Sequence, residues 1–62
     1  MGNGTMDYRV YFLDDDGHVF AREDIIADND EEAVHSATQL QNGQAIEVWQ
    51  RDRRVALIEP PK

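Results

Sequence analysis

Residues 28–43, DNDEEAVHSATQLQNG, contain the pattern that decides the fold. The stretch opens with carboxylates that suit the positive end of a helix dipole, at Asp28, Asp30, Glu31 and Glu32. It closes with Asn42-Gly43, a pair typical of the left-handed turn that ends a helix. Between these ends, apolar residues recur at helical spacing at Ala33, Val34, Ala37 and Leu40. The pattern predicts one helix from about residue 29 to residue 41, capped by Asp28 or Asn29.

Two strand-like segments precede this helix and two follow it. Alternating apolar residues predict strands over residues 7–13, 18–22, 45–51 and 54–58. Turns are expected at Asp14–Gly17 and Asp52-Arg53, and a bulge or a bend is expected before Ile25, where Glu23-Asp24 weakens the alternation. This order predicts an α+β fold of the type ββαββ, with a four-stranded, mostly antiparallel sheet and one helix packed on one face. A crossover through the helix would give the strand order 2-1-3-4, with the first strand central.

The length of 62 residues leaves room for one domain, predicted over residues 7–59. Residues 1–6 are expected to form a disordered leader, because they lack the basic and apolar regions of a signal peptide. Residues 60–62 form a C-terminal tail, since Pro60-Pro61 cannot continue a sheet. No apolar run is long enough to cross a membrane, and there is no cysteine. We therefore expect a soluble cytoplasmic protein.

The charge of the chain restricts its partners. The formal net charge is −7, which argues against binding to nucleic acid or to anionic lipid. The acids are concentrated between Asp14 and Glu32, whereas the balance is basic from Arg51 onward.

One helix can cover only one face of the predicted sheet. Strand alternation directs one apolar set toward the helix: Val10, Phe12, Val19, Ala21, Ile46, Val48, Val55 and Leu57. The opposite face keeps large apolar residues interleaved with arginines, and exposed patches of this kind commonly mark contact surfaces. The predicted interaction face consists of Arg9, Tyr11, Leu13, Phe20, Arg22, Trp49, Arg51 and Ile58.

Three interpretations of this face remain open. Self-association into a homodimer, or binding of another protein, would bury the apolar residues and is the favoured interpretation. A monomer could instead cover the face with the apolar stems of its arginines. Aromatic residues between arginines also resemble the stacking platforms of single-stranded nucleic-acid binders. The negative charge and the lack of a glycine-aromatic RNA-binding motif argue against this third interpretation.

Residues with catalytic or metal-binding chemistry are scattered. Asp14–Gly17 resembles part of a calcium loop, but the first ligand position falls on Phe12. His18 and His35 have no partner at metal-ligand spacing, and Ser36 and Thr38 lie in mid-helix. We therefore predict a non-enzymatic protein without a metal or a cofactor.

Four segments carry a resemblance to known proteins: Tyr8–Asp14, Asp16–His18, Asp28–Val34 and Ala45–Trp49. Together they resemble a group of short bacterial proteins of unknown function, found mainly in alphaproteobacteria. The resemblance covers nearly all of the chain after Met6. It implies a small α+β fold, and it brings no activity, cofactor or catalytic residue.

Overall fold

The computed structural model describes residues 5–60. In these residues, β1 (Met6–Leu13), β2 (Val19–Ala27), the helix α1 (Asp30–Leu40), β3 (Ile46–Gln50) and β4 (Arg53–Ile58) follow one another along the chain. The four strands form one sheet in the order β2-β1-β3-β4, and every neighbouring pair is antiparallel. The predicted ββαββ fold and strand order are thus confirmed.

The ends of the chain are only partly covered by the described residues. Residues 1–4 of the predicted leader and residues 61–62 of the predicted tail lie outside the described residues. Met6, which was assigned to the leader, is the first residue of β1. Within residues 5–60, no helix has the length and apolar character needed to cross a bilayer.

The helix α1 begins as predicted and ends differently. Asn29 is the N-cap, and its side-chain oxygen accepts a hydrogen bond of 2.8 Å from the backbone N–H of Glu32. At the other end, Gln41 stops the helix in an extended conformation, and the left-handed residue Gly43 comes two positions later. The side-chain amide of Gln41 donates hydrogen bonds to the backbone oxygens of Gln44 and Glu59, at 2.8 and 3.1 Å. These contacts hold the helix end near the end of β4, so a left-handed cap is not needed.

The core lies between α1 and one face of the sheet. Its buried cluster consists of Tyr8, Val10, Ala27, Ala33, Ala37, Ile46 and Val48. The helix contributes only alanines to this cluster, which lets its backbone lie close to the strands. The large side chains that are fully buried in the described residues are Tyr8, Val10, Ile46 and Val48. A core of this size gives a small domain limited stability.

Two β-bulges reverse part of the predicted alternation. The β1–β2 register shifts between Phe12 and Leu13, and the β3–β4 register shifts between Val48 and Trp49. The extra residues are Phe20 in β2 and Val55 in β4, and each reverses the alternation of the residues beyond it. The bulge or bend predicted before Ile25 does not lie at Glu23-Asp24, because β2 continues regularly through these residues to Ala27; the bulge of this strand lies earlier, at Phe20.

The bulges correct four face assignments. Val19 pairs with Leu13 and Leu57 pairs with Glu47, so both lie on the side of the sheet opposite α1. Ile58 pairs with Ile46 and packs against the core, so its predicted place in the interaction face is wrong. Phe20 is also misplaced there, because its ring lies 6.5 Å from the ring of Phe12, which packs against the core.

A polar network joins the start of α1 to the sheet. The buried Tyr8 donates its hydroxyl to Asp30 at 2.9 Å, and Arg53 donates two hydrogen bonds of 3.0 Å to the same carboxylate. The bonds from Arg53 and Tyr8 lower the pKa of Asp30. Burial raises the pKa of the Tyr8 hydroxyl, and the bond to Asp30 raises it further.

We expect Asp30→Asn to reduce the loss of stability in acid. Because the folded chain lowers the pKa of Asp30, folding favours its charged form. That stabilisation is present above the pKa of unfolded aspartates, about 3.9. It is lost as the pH falls through the lower pKa of the folded state. Urea midpoints measured from about pH 7 to about pH 2 should therefore fall less in Asp30→Asn than in the wild type.

Glu31→Gln is the matched control for this prediction. Glu31 is an exposed carboxylate in the same first turn of α1. Its replacement alters the charge near the helix N-terminus by the same amount and leaves the bonds of Asp30 in place. An acid dependence in Asp30→Asn equal to that of Glu31→Gln would contradict a stabilising role for the network.

Candidate functional site

The side of the sheet opposite α1 carries the candidate site, which we call the helix-free face. Strand pairing assigns to it the apolar residues Tyr11, Leu13, Val19, Ile26, Trp49 and Leu57. The charged residues there are Asp7, Arg9, Arg22, Asp24, Glu47 and Arg54, and Arg51 borders the face from the β3–β4 turn. Ile26, Val19 and Leu57 are 69%, 54% and 44% exposed, so much apolar surface is open to solvent.

An aromatic pair occupies the centre of the helix-free face. The rings of Tyr11 and Trp49 meet edge to face, with centroids 6.4 Å apart and planes at 82°. The indole N–H of Trp49 donates to Glu47 at 2.9 Å, and Arg54 donates to the other oxygen of Glu47 at 3.3 Å. The Glu47 side chain is 21% exposed, so its charge is partly shielded and paired. These bonds hold the aromatic pair in one orientation before any partner binds.

The two bulges place further residues around this pair. A shallow depression of about 330 Å³ is lined by Tyr11, Val19, Glu47, Trp49 and Arg51. Val19 reaches this depression because the bulge at Phe20 directs it to the helix-free face. The depression is broad and open, which suits a packed protein surface better than an enclosed small molecule.

The helix-free face differs in charge from the rest of the chain. With Arg51 at its border, it carries four of the five basic residues and three of the thirteen acids of residues 5–60, which gives a net charge of +1. The remaining basic residue and ten acids of residues 5–60 carry −9. The strong negative charge of the protein is therefore located away from this surface.

Arg51 adopts a backbone conformation that is unusual for its type. Its φ is 57°, and among the non-glycine residues of the described chain it alone has positive φ. Glycine normally takes such a position, because a Cβ costs energy there. Arg51 and Asp52 form the two-residue turn between β3 and β4, and tight hairpin turns of this kind need positive φ at their first residue. The Arg51 side chain lines the depression beside Trp49.

A second cleft, of about 710 Å³, lies where the β1–β2 hairpin extends past the end of β3. Asp7, Arg9, Asp24, Gln50 and Arg51 contribute to its walls. Its charged residues are two acids and two arginines, so the cleft has no strong preference for one sign of charge.

One group of side chains could approach a metal ion. Ligand atoms of Asp14, Asp16 and His18, all exposed, lie within 4.8 Å of one another in the β1–β2 turn. One Asp14 oxygen accepts backbone hydrogen bonds of 2.9 Å from His18 and from Asp16. These bonds lower the pKa of Asp14. They also engage it in closing the hairpin, which is a sufficient structural role for this carboxylate. The sequence predicts no metal-ligand partner for His18. In the structure, a spacing of two residues around the turn brings His18 close to Asp14 and Asp16.

The predicted interaction residues are divided by this geometry. Arg9, Tyr11, Leu13, Arg22 and Trp49 lie on the helix-free face with Arg51 at its border, although Leu13 is buried. Phe20 and Ile58 lie elsewhere, as described above. Val19, Ile26, Glu47, Arg54 and Leu57 complete the face. The prediction missed Val19 and Leu57 because bulges have no reliable signature in a single sequence.

Comparison of the chain with protein-family models, with curated proteins and with solved structures gave no match. The resemblance to short bacterial proteins therefore stays a prediction.

Proposed function

We propose that the protein is a small, non-catalytic interaction domain that associates with a second copy of itself through the helix-free face. The observation that carries the proposal is that exposed apolar surface and most of the negative charge lie on different parts of the molecule. Exposed apolar surface and nearly balanced charge coincide on this face, while most of the acids lie elsewhere. A protein surface with such a combination can approach an identical surface without strong repulsion.

The size of the core supports self-association. Only four large side chains are fully buried in residues 5–60, and full burial of such a side chain stabilises by roughly 1.5–3 kcal/mol. Val19, Ile26 and Leu57 leave a large part of their apolar side chains in water. A second helix-free face placed over them would remove that area from solvent. Association would thus supply burial that the single helix cannot provide.

The arrangement of charges also supports an isologous contact. The face alternates arginines with acids, for example Asp24 and Arg9 in neighbouring positions of β2 and β1. In a two-fold symmetric contact, an arginine of one copy can face an acid that neighbours the same arginine in the other copy. Opposite charges can therefore pair across the contact. The aromatic pair at the centre, already oriented by Glu47, provides a rigid apolar surface for that contact.

Single-stranded nucleic acid is the alternative partner. Stacking of bases needs open aromatic ring faces and a positive groove along the backbone. Here the Glu47 carboxylate lies beside Trp49 and would face the phosphates, which argues against this alternative.

Leu57→Lys should halve the mass of the associated protein. Leu57 is 44% exposed on the helix-free face, and lysine would place two added charges in the contact. Lysine beside Glu47 in the same pairing is compatible with the monomer fold. Sedimentation equilibrium of the wild type and the variant, at several concentrations, measures the mass. The wild type should be at least dimeric.

Leu40→Lys is the matched control, because Leu40 is 39% exposed at the end of α1 on the other side of the molecule. This variant should keep the wild-type mass. A monomeric wild type at high concentration, or an equal effect of both substitutions, would overturn the proposal. Trp49 is the single tryptophan, so its fluorescence also reports binding of a short single-stranded oligonucleotide. A salt-sensitive change on titration would favour the nucleic-acid alternative.

A further inference from the structure

The outer edge of β2 is an unpaired strand edge in the described part of the chain. β2 occupies the end of the sheet and pairs only with β1. It has nine residues, and all side chains from Val19 to Asp24 are exposed. Alternate backbone N–H and C=O groups along such an edge can bond a further strand. The edge borders the helix-free face and shares the side chains of Arg22 and Asp24 with it, but pairing along the edge would use the backbone of β2.

The charges along this edge are arranged symmetrically about Glu23. Arg22 precedes Glu23 and Asp24 follows it, and the side chains of Arg22 and Asp24 lie on the same face of the sheet. In an antiparallel pair centred on Glu23, Arg22 of each copy lies opposite Asp24 of the other. The regular segment Ala21–Ile25 then pairs with itself, while the bulge at Phe20 limits the pairing beyond that segment.

Other registers of the same pairing bring like charges together. A shift of two residues in one direction places Arg22 opposite Arg22, and a shift in the other direction places Asp24 opposite Asp24. Like charges directly opposite in a sheet destabilise it. A shift of one residue would turn one copy over, so that its helix lay on the opposite side of the sheet. Charged edges usually prevent pairing, but this sequence leaves one register in which the flanking charges attract.

The ion pair within one chain does not prevent Arg22 and Asp24 from pairing with a second chain. Arg22 and Asp24 of one chain form an ion pair of 3.5 Å, but their side chains are more than half exposed. Such surface pairs contribute little and can exchange partners. The cost of the register is Glu23 opposite Glu23 at the two-fold axis, on the side of the sheet that carries α1.

We infer that two copies of the chain pair antiparallel along β2, centred on Glu23, and join their sheets into one sheet of eight strands. The flanking ion pairs Arg22–Asp24 select this register. The contact uses the backbone of β2 and flanking charges that also belong to the helix-free face, whereas the proposed function depends on the apolar residues of that face.

Charge reversal at these two positions tests the inference. Arg22→Asp alone places acids opposite acids, and Asp24→Arg alone places arginines opposite arginines. Each variant by itself should show half the wild-type mass in sedimentation equilibrium. An equimolar mixture of the two variants should recover the wild-type mass, because the pairs between positions 22 and 24 of the two chains are then attractive again, as in the wild type. The intrachain pair is broken in both variants, so recovery on mixing cannot come from it.

Glu23→Gln provides a second measurement that keeps the fold and removes the repulsion at the axis. It should lower the dissociation constant of this contact several-fold. Single variants that retain the wild-type mass, or a mixture that stays dissociated, would overturn the inference. Leu57→Lys separates the two contacts. If Leu57→Lys keeps the wild-type mass while Arg22→Asp halves the mass, the edge contact is supported and the proposed function is contradicted. If Leu57→Lys halves the mass while Arg22→Asp keeps it, the proposed function is supported and the edge contact is contradicted.

Discussion

Ile46→Ala should leave a large fraction of the domain unfolded at room temperature. Ile46 is fully buried in β3, next to Val10, Val48 and the helix alanines of the core cluster. Removal of an isoleucine side chain down to alanine in a core costs about 2–5 kcal/mol. A single core in a chain of this length rarely supplies more than about 3–5 kcal/mol. Urea unfolding followed by far-UV circular dichroism should show little or no folded baseline.

Ile26→Ala is the matched control for this result. The residue type is the same, but Ile26 is 69% exposed on β2. The free energy of unfolding should change by no more than about 0.5 kcal/mol. The two variants need to be compared at low protein concentration, because association through the helix-free face would add concentration-dependent stability. Similar losses in both would show that the core does not lie between α1 and β3.

The fold could be predicted because its signals are local. The acids, the cap Asn29 and the alanine spacing of α1 lie within one segment, and their effects act over one or two helical turns. Strand β1 is apolar on both faces, which indicated its central place in the sheet. Connection rules then left few ways to order the other strands.

The errors come from contacts between residues that are distant in sequence. Gln41 ends α1 by bonding the backbone of Glu59, and Tyr8 and Arg53 meet at Asp30 from different strands. No pattern within a short stretch of sequence predicts such contacts. The bulges at Phe20 and Val55 also arise from how paired strands fit, so the alternation that held for β1 failed across them.

The helix-free face contains Val19 and Leu57 in place of the predicted Phe20 and Ile58. Val19 lines the depression beside the central aromatic pair, and Leu57 lies opposite Glu47. Apolar residues are therefore more continuous around Tyr11 and Trp49 than strict alternation implied. The central residues themselves were predictable, because both lie in regular strand segments.

Ala37→Leu should destabilise the domain by forcing α1 away from the sheet. Ala37 is fully buried, and both buried residues of the helix are alanines. A leucine at this position adds three carbon atoms inside the buried core cluster between the helix and the sheet. Overpacking of a well-filled core typically costs about 1–3 kcal/mol. Leucine and alanine are both good helix formers, so a loss of stability would report packing and not helix propensity. Urea midpoints at neutral pH measure the change.

Gln39→Leu separates packing from the general effect of an added leucine. Gln39 is exposed on α1, and its amide contacts His35 one turn earlier. Its replacement should leave the urea midpoint close to that of the wild type, because the new side chain has free space. If Ala37→Leu were equally harmless, the helix would have room to accept larger residues. The alanines would then not determine how close α1 lies, and the thin core would reflect loose packing of the helix on the sheet. The expected contrast between the two leucines therefore tests why so little apolar surface is buried on the helix side, which is the premise of a contact on the other side.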